Sequence, residues 1–202
     1  ILTQDEIDSL LSALESGEIT ADELRKEEQT KKIRSYDFRR PNKFSKEQIN
    51  TLELIYDNYA RTLSTYLSAQ LRIGVQATLI SVEQLTYEEF IRSIPDPSVL
   101  VIFSMKPLEG NALIELNPSM AFVIIDRLLG GIGMEFNKNR DLTEIERKII
   151  HNRLARIVKL MDEAWAEIFE LDINLVNMET NPQFTQIVAP NEMVVVITIE
   201  VK

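Results

Sequence analysis

The sequence predicts an α/β domain built from two related halves, preceded by a short amphipathic segment on a polar tether. Three observations carry this. Two long apolar stripes at helical spacing each open on a capping box, Ser45 with Gln48 and Thr143 with Glu146. Each stripe leads into a strand whose alternation slips at the same place, Leu79-Ile80-Ser81-Val82-Glu83 matching Leu175-Val176-Asn177-Met178-Glu179. The last stretch, IVAPNEMVVVITIEV, reads as a hairpin matching VIFSMKPLEGNALIEL. Two helix–strand–hairpin units of this kind are expected to pair their strands into one mixed sheet, with the long helices laid on its oily face.

Taken in order, residues 1–16 place Ile7, Leu10, Leu11 and Leu14 at i, i+3, i+4 and i+7, with Asp5, Glu6, Asp8 and Glu15 around the rest and a Thr3–Glu6 capping box in front. Ser16-Gly17 ends this element, and residues 17–42 form a polar linker in which Thr20 and Glu23 repeat the capping spacing. The packed domain is expected over 43–202. Its first helix carries Ile49, Leu52, Ile55, Tyr56, Tyr59, Leu63, Tyr66 and Leu67. The strand in IGVQATLISV alternates through Leu79 and then shifts phase, which signals a bulge or burial on both faces. A capped helix in TYEEFIRSI, a strand in VLVIFSM, a turn in PLEGN and a strand in ALIEL follow. Asn117-Pro118 opens the helix SMAFVIIDRLL, which stops at Gly130-Gly131. The second long helix is expected to carry Ile145, Ile149, Leu154, Ile157, Met161, Trp165 and Ile168 before the strand LDINLVNME.

Bulk chemistry excludes several functions. Among 202 residues, 22 basic against 32 acidic side chains leave a net charge of -10, which repels nucleic acid and anionic head groups. The basic run LRKEEQTKKIRSYDFRRPNKF is interrupted by Glu27, Glu28 and Asp37 and reads as solvated linker. Without cysteine there are no disulfides, thiolate metal sites or cysteine nucleophiles, which fits a reducing compartment. AFVIIDRLL and VVVITIEV are too short or too broken by charge to span a bilayer, and no signal-peptide pattern opens the chain. Its first residue, Ile rather than Met, leads us to expect a piece of a longer or processed protein.

Three features carry candidate function. A helix as short as 1–16 is marginal in water, so its stripe must bury itself on a partner or on its own domain. Its acidity favours a partner face bearing Lys or Arg, and its lack of basic residues argues against a membrane. LLGGIG lacks the third glycine of a dinucleotide loop and ends a helix instead of starting one. It reads as a C-cap and turn, or as bare backbone that another protein approaches closely. Asn58 and Asn152 occupy like places on the two long helices, but amides without a carboxylate or metal supply little chemistry. His151, alone among Arg147, Lys148 and Arg153, is expected to face solvent, with no metal or triad pattern around it.

Together, LTQDEIDSLL, the polar tether, the duplicated unit and DRLLGGIG resemble the FliM family of flagellar motor switch proteins. The resemblance covers the CheY-binding motif and the middle domain, but not the C-terminal domain that the family also carries. It implies a pseudo-twofold α/β fold shared with CheC, CheX and the phosphatase module of FliY. Those enzymes place a Glu three residues before an Asn on each repeat helix. Here Ile55 and Ile149 precede Asn58 and Asn152, so the resemblance implies a binding relative without the hydrolytic pair, the rival being a phosphatase of the CheC or FliY type. By the same resemblance Gln4, Asp5, Glu6, Ile7, Asp8, Leu10, Leu11 and Leu14 meet phosphorylated CheY. Asp126, Arg127, Gly130, Gly131, Ile132 and Gly133 meet FliG, with Ile132 departing from the family's commoner GGPG. Further implied partners are neighbouring middle domains and the switch proteins FliN or FliY. The location implied is cytoplasmic, peripheral to the inner membrane at the flagellar basal body, and no cofactor or metal is expected.

Overall fold

Ser45 opens the first helix as its capping box predicts: its hydroxyl accepts from the Gln48 amide at 3.3 Å while the Gln48 side chain accepts from the Ser45 amide at 2.8 Å. The computed structural model describes residues 43–133 and 140–202; residues 1–16, expected to dock on a partner, residues 17–42, expected to be a polar linker, and residues 134–139 lie outside the described residues. The first helix, α1 (Lys46–Leu71), buries Ile55, Tyr59, Leu63, Leu67 and Leu71 along one face. Its end is fastened to the next strand by two hydroxyls. Ser68 accepts from the Val75 amide at 2.9 Å and Ser64 from the Ala77 amide at 2.8 Å. Ser68 therefore holds Val75 off the ladder, and the strand expected from Ile73 begins at Ala77.

That strand, β1 (Ala77–Thr86), pairs antiparallel with β5 (Met193–Val201), and Ile80 is the extra residue of a bulge between the Leu79–Ile199 and Ser81–Thr198 pairs. Thr86 and Glu89 box the short helix α2 (Tyr87–Ser93). β2 (Val99–Lys106) and β3 (Asn111–Leu116) form the expected hairpin, and β4 (Asp172–Glu179) lies on the other edge of β2. In β4 the extra residue is Val176, between the Phe103–Leu175 and Ile102–Asn177 pairs. The slip read at Ile80 and Val176 is thus the same bulge made twice. Asn117 and Pro118 start α3 (Pro118–Leu128), and Thr143 with Glu146 starts α4 (Glu144–Lys159).

The α/β class and the two related halves hold, while three details differ from expectation. First, the second long helix does not run to Ile168; it stops at Lys159 and resumes as α5 (Met161–Trp165). The Asp162 carboxylate there accepts from the Ile173 amide at 3.0 Å and pairs with Lys159 at 2.7 Å, while Lys159 also meets Asp172 at 2.7 Å. These bonds draw the turn onto the start of β4, and Ile145 and Ile168 stay exposed. Second, 187–192 forms no strand. It turns at Ala189–Glu192, and the carbonyls of Pro190 and Glu192 accept from the first amides of α2.

Third, the described strands form two antiparallel ladders, β1–β5 and β3–β2–β4, in place of one mixed sheet. Around each bulge β5 stands to β1 as β2 stands to β4, Ile199 opposite Leu79 and Phe103 opposite Leu175. β5 therefore corresponds to β2 and not to the second arm of a hairpin, and each half lends a strand to the other. Both long helices pack beneath, and Leu100, Val101, Ile150, Val158 and Ile173 are fully enclosed. β3 and β5 also line an apolar cavity of about 570 Å³, together with Tyr59, Leu63, Leu154 and Ile157.

Candidate functional site

α3 delivers the glycine loop. Ala121, Phe122, Ile124 and Ile125 bury one side of the helix, and its last turn closes in a Schellman motif. The Gly131 amide donates to the Asp126 carbonyl at 2.8 Å and the Gly130 amide to the Arg127 carbonyl at 3.1 Å, with Gly130 left-handed at φ +94°. One glycine is enough for that cap. The other two answer to different neighbours. A Cβ on Gly131 would stand 2.2 Å from the Asp126 carboxylate, and one on Gly133, itself at φ +77°, would stand 2.8 Å from Cδ of Arg127.

Asp126 and Arg127, both expected at a partner interface, are turned toward the loop itself. The Asp126 carboxylate accepts from the Gly133 amide at 2.8 Å. Arg127 donates through Nη1 to the Gly131 carbonyl at 3.2 Å and through Nε and Nη2 to the Leu71 carbonyl at 3.1 and 2.8 Å, with Nη2 also 3.2 Å from the Arg72 carbonyl. In front of this scaffold the loop presents bare backbone and two apolar side chains, Leu129 at 69% and Ile132 at 76% exposure. The sequence alone gives no sign that Leu129 faces out. Four residues beyond Ile125, it falls on the core stripe by spacing, and only the stop at Gly130 turns it outward.

On the far side of residues 134–139, a second arginine holds the chain. Arg140 makes a two-pronged pair with Glu146 at 2.7 and 2.8 Å and lies 4.6 Å over the Phe122 ring. Its hydrogen bonds hold the Glu146 carboxyl down to about 2 from an ordinary 4.5, against the opposing effect of burial and with help from Thr143.

The remaining candidates are not gathered into a site. Asn58, Asn152 and His151 are exposed on α1 and α4, Ile55 is 4% exposed within the core, and Ile149 is half-buried against it. Among the described residues no group of three or more His, Asp or Glu is placed to hold a metal ion, and no helix is long and apolar enough to cross a membrane. Gln4 to Leu14 lie outside the described residues.

Comparison with known proteins bears on this geometry. A family model described as flagellar motor switch protein FliM matches residues 45–202. The chain is 52% identical to the flagellar motor switch protein FliM of Treponema pallidum over 202 residues, all of this chain and 59% of that relative. It spans about 60% of the length of the curated relatives it matches. It superposes on a chain in the crystal structure of a FliG–FliM complex from H. pylori with a TM-score of 0.76 and 38% identity, over 79% of this chain and 87% of that one. FliY of Thermotoga maritima, at a TM-score of 0.70 and 20% identity over 80% of this chain and 85% of that one, shares the fold.

Proposed function

Because the chain belongs to the FliM family of flagellar motor switch proteins, we propose that it is a binding scaffold of the rotor ring, which docks FliG on its glycine loop and recruits phosphorylated CheY through residues 1–16. The observation that carries this is the loop: two exposed apolar side chains, Leu129 and Ile132, on a turn of bare backbone whose Gly131 carbonyl and Gly133 amide are bonded from behind by Arg127 and Asp126. Apolar side chains left in water at a loop tip gain free energy when a partner covers them. The match to a relative solved together with FliG supports the choice of partner.

In this reading CheY first meets residues 1–16, and the linker then holds it at high effective concentration beside the domain. Rotation direction responds only so far as CheY and FliG bind the ring states unequally. Neighbouring middle domains and FliN or FliY complete the cytoplasmic ring at the basal body. No turnover is required. Ile55 and Ile149 stand three residues before Asn58 and Asn152 and leave those amides without an acid at that spacing, which supports binding without hydrolysis.

The test is an exposed charge. Ile132→Asp is expected to weaken FliG binding in a titration about tenfold or more, by removing apolar contact and desolvating an acid, with circular dichroism unchanged. Unaltered affinity would remove the loop from the interface. Loss of phosphate from CheY accelerated by catalytic amounts of the protein would establish the phosphatase reading instead.

A further inference from the structure

We infer that Arg127 is a positioning residue, not a contact: its guanidinium ties the glycine loop to the C-terminus of α1, so that the shape offered to a partner is set by where that long helix ends. The inference rests on the docking reading above and assigns to Arg127 a role other than touching FliG.

A helix of 26 residues ends in carbonyls with no partner inside the helix and a partial negative charge, and α1 has no basic side chain in its own last turn to meet them. Its cap residue, Arg72, is left-handed at φ 52°. The missing cation comes from α3. Arg127 spans the gap, with Nε and Nη2 on the carbonyls of Leu71 and Arg72 and Nη1 on the carbonyl of Gly131. A flat fork carries its donors on several edges and meets carbonyls on separate sides of the guanidinium; the donors of an ammonium all radiate from one atom and lack that spread. Gly133 belongs to the same device, because a side chain there would collide with the Arg127 stem. Asp126 completes it by holding the Gly133 amide. A shift of the α1 terminus therefore pulls on Gly131, and the loop follows. The long helix and the loop are two ends of one lever.

The experiment uses the whole chain with Arg127→Met, Arg127→Lys and Gly133→Ala. Amide exchange of Gly130, Gly131 and Gly133 is measured without any partner, and FliG affinity is measured separately, with thermal unfolding to confirm an intact domain. In Arg127→Met, exchange at Gly131 and Gly133 is expected to quicken about tenfold and FliG affinity to fall by a similar factor, as bonds to a charged donor are lost. Arg127→Lys should fall between, and Gly133→Ala should reproduce the loss with the arginine still present, which keeps the test open should Arg127→Met fail to fold. Lower affinity with unchanged loop exchange would make Arg127 a direct contact and overturn the inference, as would no change in either. Quickened exchange in a protein whose wild type does not bind FliG would uphold the lever and sink the docking reading.

Discussion

The two halves of this chain repeat one pattern with different fastenings. In both, a capped helix leads to a strand with a bulge at the same step, and the bulged residues, Ile80 and Val176, are equally exposed at 56%. Yet α1 runs unbroken to Leu71, whereas its counterpart breaks after Lys159. The first half ties helix to strand with the hydroxyls of Ser64 and Ser68, small enough to reach β1 from within a continuous helix. The second reaches β4 with the Asp162 carboxylate, mounted on a new turn. Strand register survived duplication because a ladder tolerates no slip without turning every side chain over. Helix continuity was free to vary. The difference matters for the site, since only the unbroken helix brings its C-terminus to Arg127 and the loop.

The comparison breaks most visibly in the core. Leu63 and Ile157 hold corresponding places on α1 and α4, and both are buried. Leu63→Ala and Ile157→Ala should each cost about 2–4 kcal/mol in urea unfolding. Equal costs would mean the halves share one rigid core. A distinctly smaller cost at Ile157 would show that the broken helix relaxes into the space.

The capping boxes sharpen the comparison next, because Gln48 is neutral and Glu146 is charged. The Glu146 carboxyl is held at about 2 in the folded chain against 4.5 ordinarily. A depressed folded value stabilises above the unfolded value and is lost as pH falls from about 4.5 toward 2. Some 1–2 kcal/mol should therefore disappear over that window, discounted for the partly exposed Arg140 partner. Glu146→Gln should remove this part of the acid sensitivity, and amide exchange at the start of α4 should quicken in acid before exchange at the start of α1. Identical acid profiles for wild type and Glu146→Gln would refute the assignment.

The smallest effects belong to the bulges. Ile80→Thr and Val176→Thr keep β-branching at exposed positions and should each change stability by less than about 0.5 kcal/mol. A large loss at one site alone would reveal a burial that the other half lacks.

Much of the fold was legible in the sequence because its signals act over a few residues. Ser45 and Gln48, Thr86 and Glu89, and Thr143 and Glu146 satisfy amides three positions away. The bulges showed as a slip in alternation, and Gly130 stopped α3 where a Schellman cap requires it. The loop was legible as a loop. Which of its side chains face outward was not, since Asp126 and Arg127 look like surface charges until the backbone groups they satisfy are in place.

By itself, then, the sequence determined where the capped helices begin, where strands slip and where α3 ends, all matters settled between near neighbours along the chain. The tertiary structure alone decided that each half lends a strand to the other, that the second helix breaks to let Asp162 reach Ile173, and that Arg127 turns inward to the end of α1. Those outcomes depend on groups brought together from distant parts of the chain, where the need of buried amides and carbonyls for a partner outweighs local preference.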